Sequence, residues 1–182
     1  GGAPNPGARG VRASRDSGRN TEYRTCKEMG PAPPDPTMWI TGIGTYPPAE
    51  SRGNAHYART TGLSEERIGK YAGILNRRIA AVEEDAFTMA LAAARDCLAS
   101  ANGNGKQPDL IISGSYTPSD TIGTIAHRVQ RALKLNEARA IYLSTACSSM
   151  LMSVEVAEGY FGSVKGSTCL ATCSVNNSLF ND

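Results

Sequence analysis

From residue 85 onward, short apolar runs alternate with longer stretches in which apolar residues return every three or four positions. The runs read as strands and the stretches as helices, since side chains repeat every two residues along a strand and about every 3.6 along a helix. Asp85 to Ala101 is the clearest helix, with Phe87, Leu91, Ala94 and Leu98 in a stripe and small alanines around it. Asn102-Gly103-Asn104-Gly105 ends it. Asp109 to Ser115 is a short apolar run that fits a buried parallel strand. A second helix is predicted over Thr121 to Leu135, with Ile122, Ile125, Val129 and Leu133 turned inward. Arg139 to Ser144 is the next strand. Cys147 to Phe161 is the next helix, with Met150, Leu151, Val154, Ala157 and Phe161 on one face, and Thr168 to Ser174 is a further strand. This alternation predicts an α/β fold of βαβ units, with a largely parallel sheet covered on both faces.

The earlier residues are less regular. Trp39 to Tyr46 reads as a short strand closed by Pro47-Pro48, and Asn54 to Tyr71 as helical in pieces, one of them starting at Ser64 before Glu65 and Glu66. Ile74 to Val82, carrying Arg77 and Arg78, reads as a loop or edge strand. Residues 1–37 hold six prolines and five arginines without apolar periodicity. They read as a disordered or non-native extension ahead of one domain spanning 38–182. Asp16, Glu22, Glu28 and Asp35 argue against a transit peptide. Gly42-x-Gly44 is too short for a phosphate loop.

Composition narrows the function classes. The 182 residues are 40% hydrophobic and 20% charged with net charge +2, a balance that suggests neither nucleic-acid binding nor an acidic solvating tail. No apolar run approaches the roughly 18 residues needed to cross a membrane. Five cysteines at irregular spacing, with no signal peptide, do not form a disulfide framework and fit a reducing, cytoplasmic setting.

Chemistry concentrates at Cys147, in Leu143-Ser144-Thr145-Ala146-Cys147-Ser148-Ser149. It falls where a strand ends and a helix begins, so unpaired backbone N–H groups and the positive end of the helix dipole converge on it. Both favour the nucleophilic thiolate, and both suit the oxyanion formed when sulfur attacks a carbonyl. The alternative is a cysteine serving as a small buried hydrophobe. Cys97 reads as core and Cys26 as part of the extension. Cys169 and Cys173 share a strand face, but no further Cys or His pair completes a metal site. His56 and His127 read as surface or structural histidines, which leaves Cys147 without an evident base.

The segments WITGIGTYPP, GILNRRIAA, the alanine-rich helix, DLIISGSYTP, AHRVQRAL and STACSS, in this order, resemble the amino-terminal half of β-ketoacyl-acyl carrier protein synthase III. The resemblance runs from about Met38 to Asp182. It implies a thiolase-like fold, here the amino-terminal half of an αβαβα layered architecture with a mostly parallel mixed sheet. It further implies decarboxylative Claisen condensation through an acyl-Cys147 intermediate. Acyl-coenzyme A or another acyl thioester and malonyl-acyl carrier protein would be the substrates, with no resident cofactor and no metal. The expected assembly is a homodimer once complete. The family's histidine, asparagine and second oxyanion donor belong to the carboxy-terminal half, so the chain is expected to be cut short before them and inactive in the full reaction. Arg67 and Tyr71 stand where coenzyme A-primed relatives often carry tryptophan and arginine, respectively. This departure implies either a different hold on the adenine or an acyl donor other than coenzyme A. Ser149 stands where many have glycine. Two alternatives stay open: non-decarboxylative condensation or acyl transfer on the same fold, and a catalytically inert partner subunit.

Overall fold

The computed structural model describes residues 38–101, 106–118, 120, 122, 124–163 and 168–180. These belong to one compact unit, Thr37–Asp182. The extension expected over 1–37 and the turn expected over 102–105 lie outside the described residues.

The first part forms small elements. β1 (Glu50–Gly53) pairs antiparallel with β2 (Asn76–Ile79), and between them in sequence lie α1 (Asn54–Thr61) and α2 (Glu65–Ala72). Ser64 caps α2 by accepting from the Arg67 N–H, as the Ser-Glu-Glu start predicts. The expected edge strand at Arg77 and Arg78 is β2; its partner β1 is an addition to the expected elements.

Trp39 to Tyr46 forms no strand. Its backbone bonds go to α3 (Ala86–Ser100) instead of to a neighbouring strand. Asp96 Oδ2 accepts from the Thr45 N–H at 2.9 Å, and Ser100 Oγ donates to the Ile43 carbonyl at 2.9 Å. The two glycines explain the approach: a Cβ on Gly44 would lie 2.1 Å from the Cys97 nitrogen. Gly42-x-Gly44 is therefore a packing motif.

α3 begins with a capping box, in which Asp85 accepts from the Thr88 N–H and Thr88 from the Asp85 N–H. Its buried residues are Ala86, Met89, Ala90 and Ala94, so the face is rotated from the predicted stripe, and Leu98 is exposed. β3 (Leu110–Gly114) is buried at every position, as its continuous apolar run predicts. α4 (Ile125–Ala132) buries Ile125 and Val129, whereas Ile122 is 83% exposed and precedes the helix. Asp120 causes the later start, because its carboxylate accepts from both the Thr124 N–H and hydroxyl and holds a turn there.

β4 (Arg139–Leu143), α5 (Ser149–Ser163) and β5 (Cys169–Cys173) complete the unit. The sheet has the order β4-β3-β5 and is parallel throughout; the antiparallel pair β1-β2 is separate from it. Ile111 and Leu170 pack with α3 and α4 in one core cluster. Leu110 and Ile112 pack with Ala157 of α5 in the other. Helices thus cover both faces, as expected.

α5 meets one expectation only in part. Ala157 is buried and Phe161 packs against the core as expected, but the rest of the face is turned outward. Ser149, Ser153 and Ala157 are its buried residues, while Met150, Leu151 and Val154 are exposed, Leu151 to 71%. The small side chains let the helix lie close on the sheet. Among the described residues no helix is long and apolar enough to cross a membrane.

Candidate active site

Cys147 stands at the corner between β4 and α5. The chain leaves β4 at Leu143, passes Thr145 at φ −125°, and enters the left-handed region at Ala146, φ 50°. An alanine there carries strain that glycine would not, and such strain persists only where surrounding contacts enforce it. Those contacts are present. Ser149 Oγ donates to the Ala146 carbonyl at 2.8 Å and accepts from the Thr145 N–H at 3.1 Å. Ser148 Oγ donates to the Thr145 carbonyl at 2.7 Å. A single 3-10 turn, Ala146–Ser148, then runs into α5, and Cys147 is exposed within it.

Gly114 lets the head of α5 sit on the sheet. A Cβ at that position would lie 2.6 Å from the Ser149 Cβ, inside any tolerable contact. Ser149, where many relatives of the resembled family carry glycine, is fully buried and holds the corner together. Around it lies a buried polar layer at the carboxyl ends of the strands. Thr172 donates to Ser113 at 2.8 Å, and Thr117 accepts from the Asn176 N–H at 2.8 Å. Asn176 Nδ2 donates to the Glu84 carbonyl at 3.0 Å. Among the described residues no buried side-chain nitrogen or oxygen is left unsatisfied. The carboxyl ends of parallel strands are where such sheets place their chemistry.

The other candidates separate by environment. His127 is exposed on α4, and His56, on α1, packs edge-on against Tyr57 with Arg52 3.4 Å from its Nε2. Both keep the structural character expected of them. Cys97 is part-buried against the core, and burial pushes its thiol up. Burial drives Cys169 up to about 12, which makes it inert at ordinary pH. Cys173, on the same strand face as expected, has a different setting: it is exposed, and its sulfur accepts from the Met150 N–H in the first turn of α5. Only the pairing of parallel strand ends could have signalled that position. Among the described residues no group of three or more His, Cys, Asp or Glu side chains could hold a metal.

Arg67 and Tyr71 meet beside a cavity of about 590 Å³, which Tyr57, Leu63, Ile68 and Arg77 also line. The Arg67 guanidinium lies 5.6 Å from the Tyr71 ring centre, and that of Arg77 4.7 Å from Tyr57. Two cations stacked on aromatic faces thus line this cavity.

A parallel sheet between helical layers, with a cysteine at a strained strand-to-helix corner, is the thiolase-type fold of condensing enzymes. Comparison with solved structures bears this out: 3-oxoacyl-[acyl-carrier-protein] synthase III from Aquifex aeolicus superposes with TM-score 0.71 at 32% identity, covering 77% of this chain and 45% of that one. The priming β-ketosynthase of the R1128 polyketide pathway, at TM-score 0.70 and 24% identity over 75% of this chain and 41% of that one, shares the fold. By sequence, the chain is homologous to the amino-terminal half of β-ketoacyl-[acyl-carrier-protein] synthase III. The protein of that name from Actinobacillus pleuropneumoniae is 33% identical over 139 residues, 76% of this chain and 44% of the relative. That from Rhodospirillum rubrum is 34% identical over 137 residues, 73% of this chain and 42% of the relative. The chain spans less than half the length of these curated relatives. No family model matches it.

Proposed function

We propose that this chain is the acyl-accepting half of a decarboxylating condensing enzyme, with Cys147 as nucleophile. The observation that carries the reading is the strained corner, which exposes Cys147 at the head of the 15-residue α5. The Cys147 thiolate attacks the carbonyl of an acyl thioester, and the carbonyl π electrons move onto oxygen. Backbone N–H groups at the corner, that of Cys147 among them, stabilise this oxyanion. The carbonyl re-forms, the donor thiolate leaves, and the acyl group remains as a Cys147 thioester.

An acyl-coenzyme A donor would place its adenine against Tyr71 and its phosphates near Arg67 and Arg77. In the complete protein, decarboxylation of a malonyl thioester on acyl carrier protein supplies the carbanion that attacks the Cys147 thioester. The similarity to β-ketoacyl-[acyl-carrier-protein] synthase III supports this second half-reaction, and a homodimer as the complete assembly.

The test is intact mass after incubation with acyl-coenzyme A. The expected result is one acyl adduct that maps to Cys147 and is absent from Cys147→Ala. A folded protein that gains no adduct would instead support the inert-subunit reading. Transfer without release of carbon dioxide from a malonyl donor by the complete protein would sink decarboxylation.

A further inference from the structure

The Cys147 N–H at the corner is aimed by a single peptide plane, and Ser149 holds that plane. The amide between Ala146 and Cys147 is trans, so its C=O and N–H point in opposite directions. The Ala146 carbonyl accepts twice from Ser149, from the hydroxyl at 2.8 Å and from the backbone N–H. Ser149 is fully buried and seated on Gly114. Its own carbonyl accepts from the buried Ser153 hydroxyl at 2.7 Å, which ties it down. A carbonyl drawn inward onto this serine turns the Cys147 N–H of the same amide away from it. The hydroxyl also accepts from the Thr145 N–H, and Ser148 takes the Thr145 carbonyl, so two serines fix three successive amides. Ala146 resists the arrangement, because a Cβ is disfavoured at φ 50°.

We propose that Ser149 is a positioning residue for acylation: its hydroxyl keeps Ala146 in the left-handed region and so aims the Cys147 N–H at the oxyanion. The inference rests on Cys147 being the acyl acceptor. The step it serves is addition of the thiolate to the acyl carbonyl, whose π electrons move onto oxygen. Alkylation by iodoacetamide forms a carbon–sulfur bond at the same thiolate and expels iodide, with no oxyanion. Comparing the two reactions therefore separates the aim of the N–H from the reactivity of the sulfur.

Both reactions are timed on wild type, Ser149→Ala and the double variant Ala146→Gly/Ser149→Ala, each checked for folding by circular dichroism. Intact mass follows acylation by acyl-coenzyme A, and peptide mapping follows alkylation at Cys147. Ser149→Ala is expected to lose roughly ten- to a hundredfold in maximal acylation rate, as a misplaced group does. Its half-saturating donor concentration and its alkylation rate are expected to stay as in wild type. Ala146→Gly accepts a positive φ without the side-chain penalty, so the double variant is expected to recover most of the lost rate.

Ser149→Ala that acylates like wild type, that loses acylation and alkylation in parallel, or that Ala146→Gly does not rescue would overturn the proposal. Should Ser149→Ala not fold, the double variant decides. Folded and acylating, it supports the role; folded and inactive, or unfolded, it assigns Ser149 to stability alone. A folded wild type that alkylates at Cys147 but takes no acyl group would reject the catalytic reading itself.

Discussion

Ala146 shows what a residue type conceals. Nothing in an alanine announces a φ of 50°, and the corner exists because Ser148 and Ser149 bind the carbonyls on either side of it. The strand-to-helix position of Cys147 was legible from apolar spacing alone. The strain beside it was not, because the serine bonds that hold it depend on Ser149 being seated on Gly114, a residue brought there only by the fold. That contact is testable. Gly114→Ala forces a Cβ to within 2.6 Å of Ser149 and is expected to destabilise the protein by about 1–3 kcal/mol in urea unfolding. It should also slow acylation of Cys147, since Ser149 must shift. Unchanged stability and rate would show that the corner does not depend on this packing.

Helices and strands were read well where both of their partners lie within the described chain. β3 is apolar on both sides because helices cover both sides, and its sequence says so without ambiguity. α5 misled, because hydropathy marks the large residues as inward while the sheet receives Ser149, Ser153 and Ala157. Small residues on a close-packed face carry little hydropathy signal, so the face read from periodicity is rotated from the buried one and shares Ala157 with it. Trp39 to Tyr46 misled for a related reason: β-like residues make a strand only where another strand offers its N–H and C=O groups. Two substitutions separate the faces of α5. Leu151→Ser is expected to change stability by no more than about 0.5 kcal/mol. Ala157→Leu is expected to cost about 1–3 kcal/mol, since the residue is 1% exposed against β3. The reverse ranking in thermal unfolding would put Leu151, not Ala157, against the sheet.

At the scale of the molecule, the parallel sheet with helices on both faces is what the alternating pattern foretold, and the order β4-β3-β5 is what the structure adds. The stretch before β1 is also tied to the body where the Tyr46 hydroxyl donates to Glu84 Oε1 at 2.5 Å. That bond and the Ala81 N–H hold the Glu84 carboxyl below its ordinary value, while the Tyr46 hydroxyl is held above its own. A lowered carboxyl stabilises the fold above its unfolded value, near 4.5, and the contribution is lost as pH falls through the lowered one. The raised tyrosine loses its contribution as pH climbs past 10. The stability difference between wild type and Tyr46→Phe is therefore expected to persist near neutrality and to shrink in both directions. A difference independent of pH would assign it to packing.

The register of the central strand has a consequence in time. β3 pairs on one side with β4 and on the other with β5, and Thr172 reaches Ser113 across 59 residues of sequence. On the ribosome, β3 and β4 are both made while β5 is still to come, so the sheet waits with one edge of its innermost strand bare. The arrival of β5 closes that edge and brings Thr172 onto Ser113 in the same movement. Pairing of β5 with β3 is thus a clock for the chain: an assay that follows protection of the β3 backbone in nascent protein would read the moment at which that edge is covered.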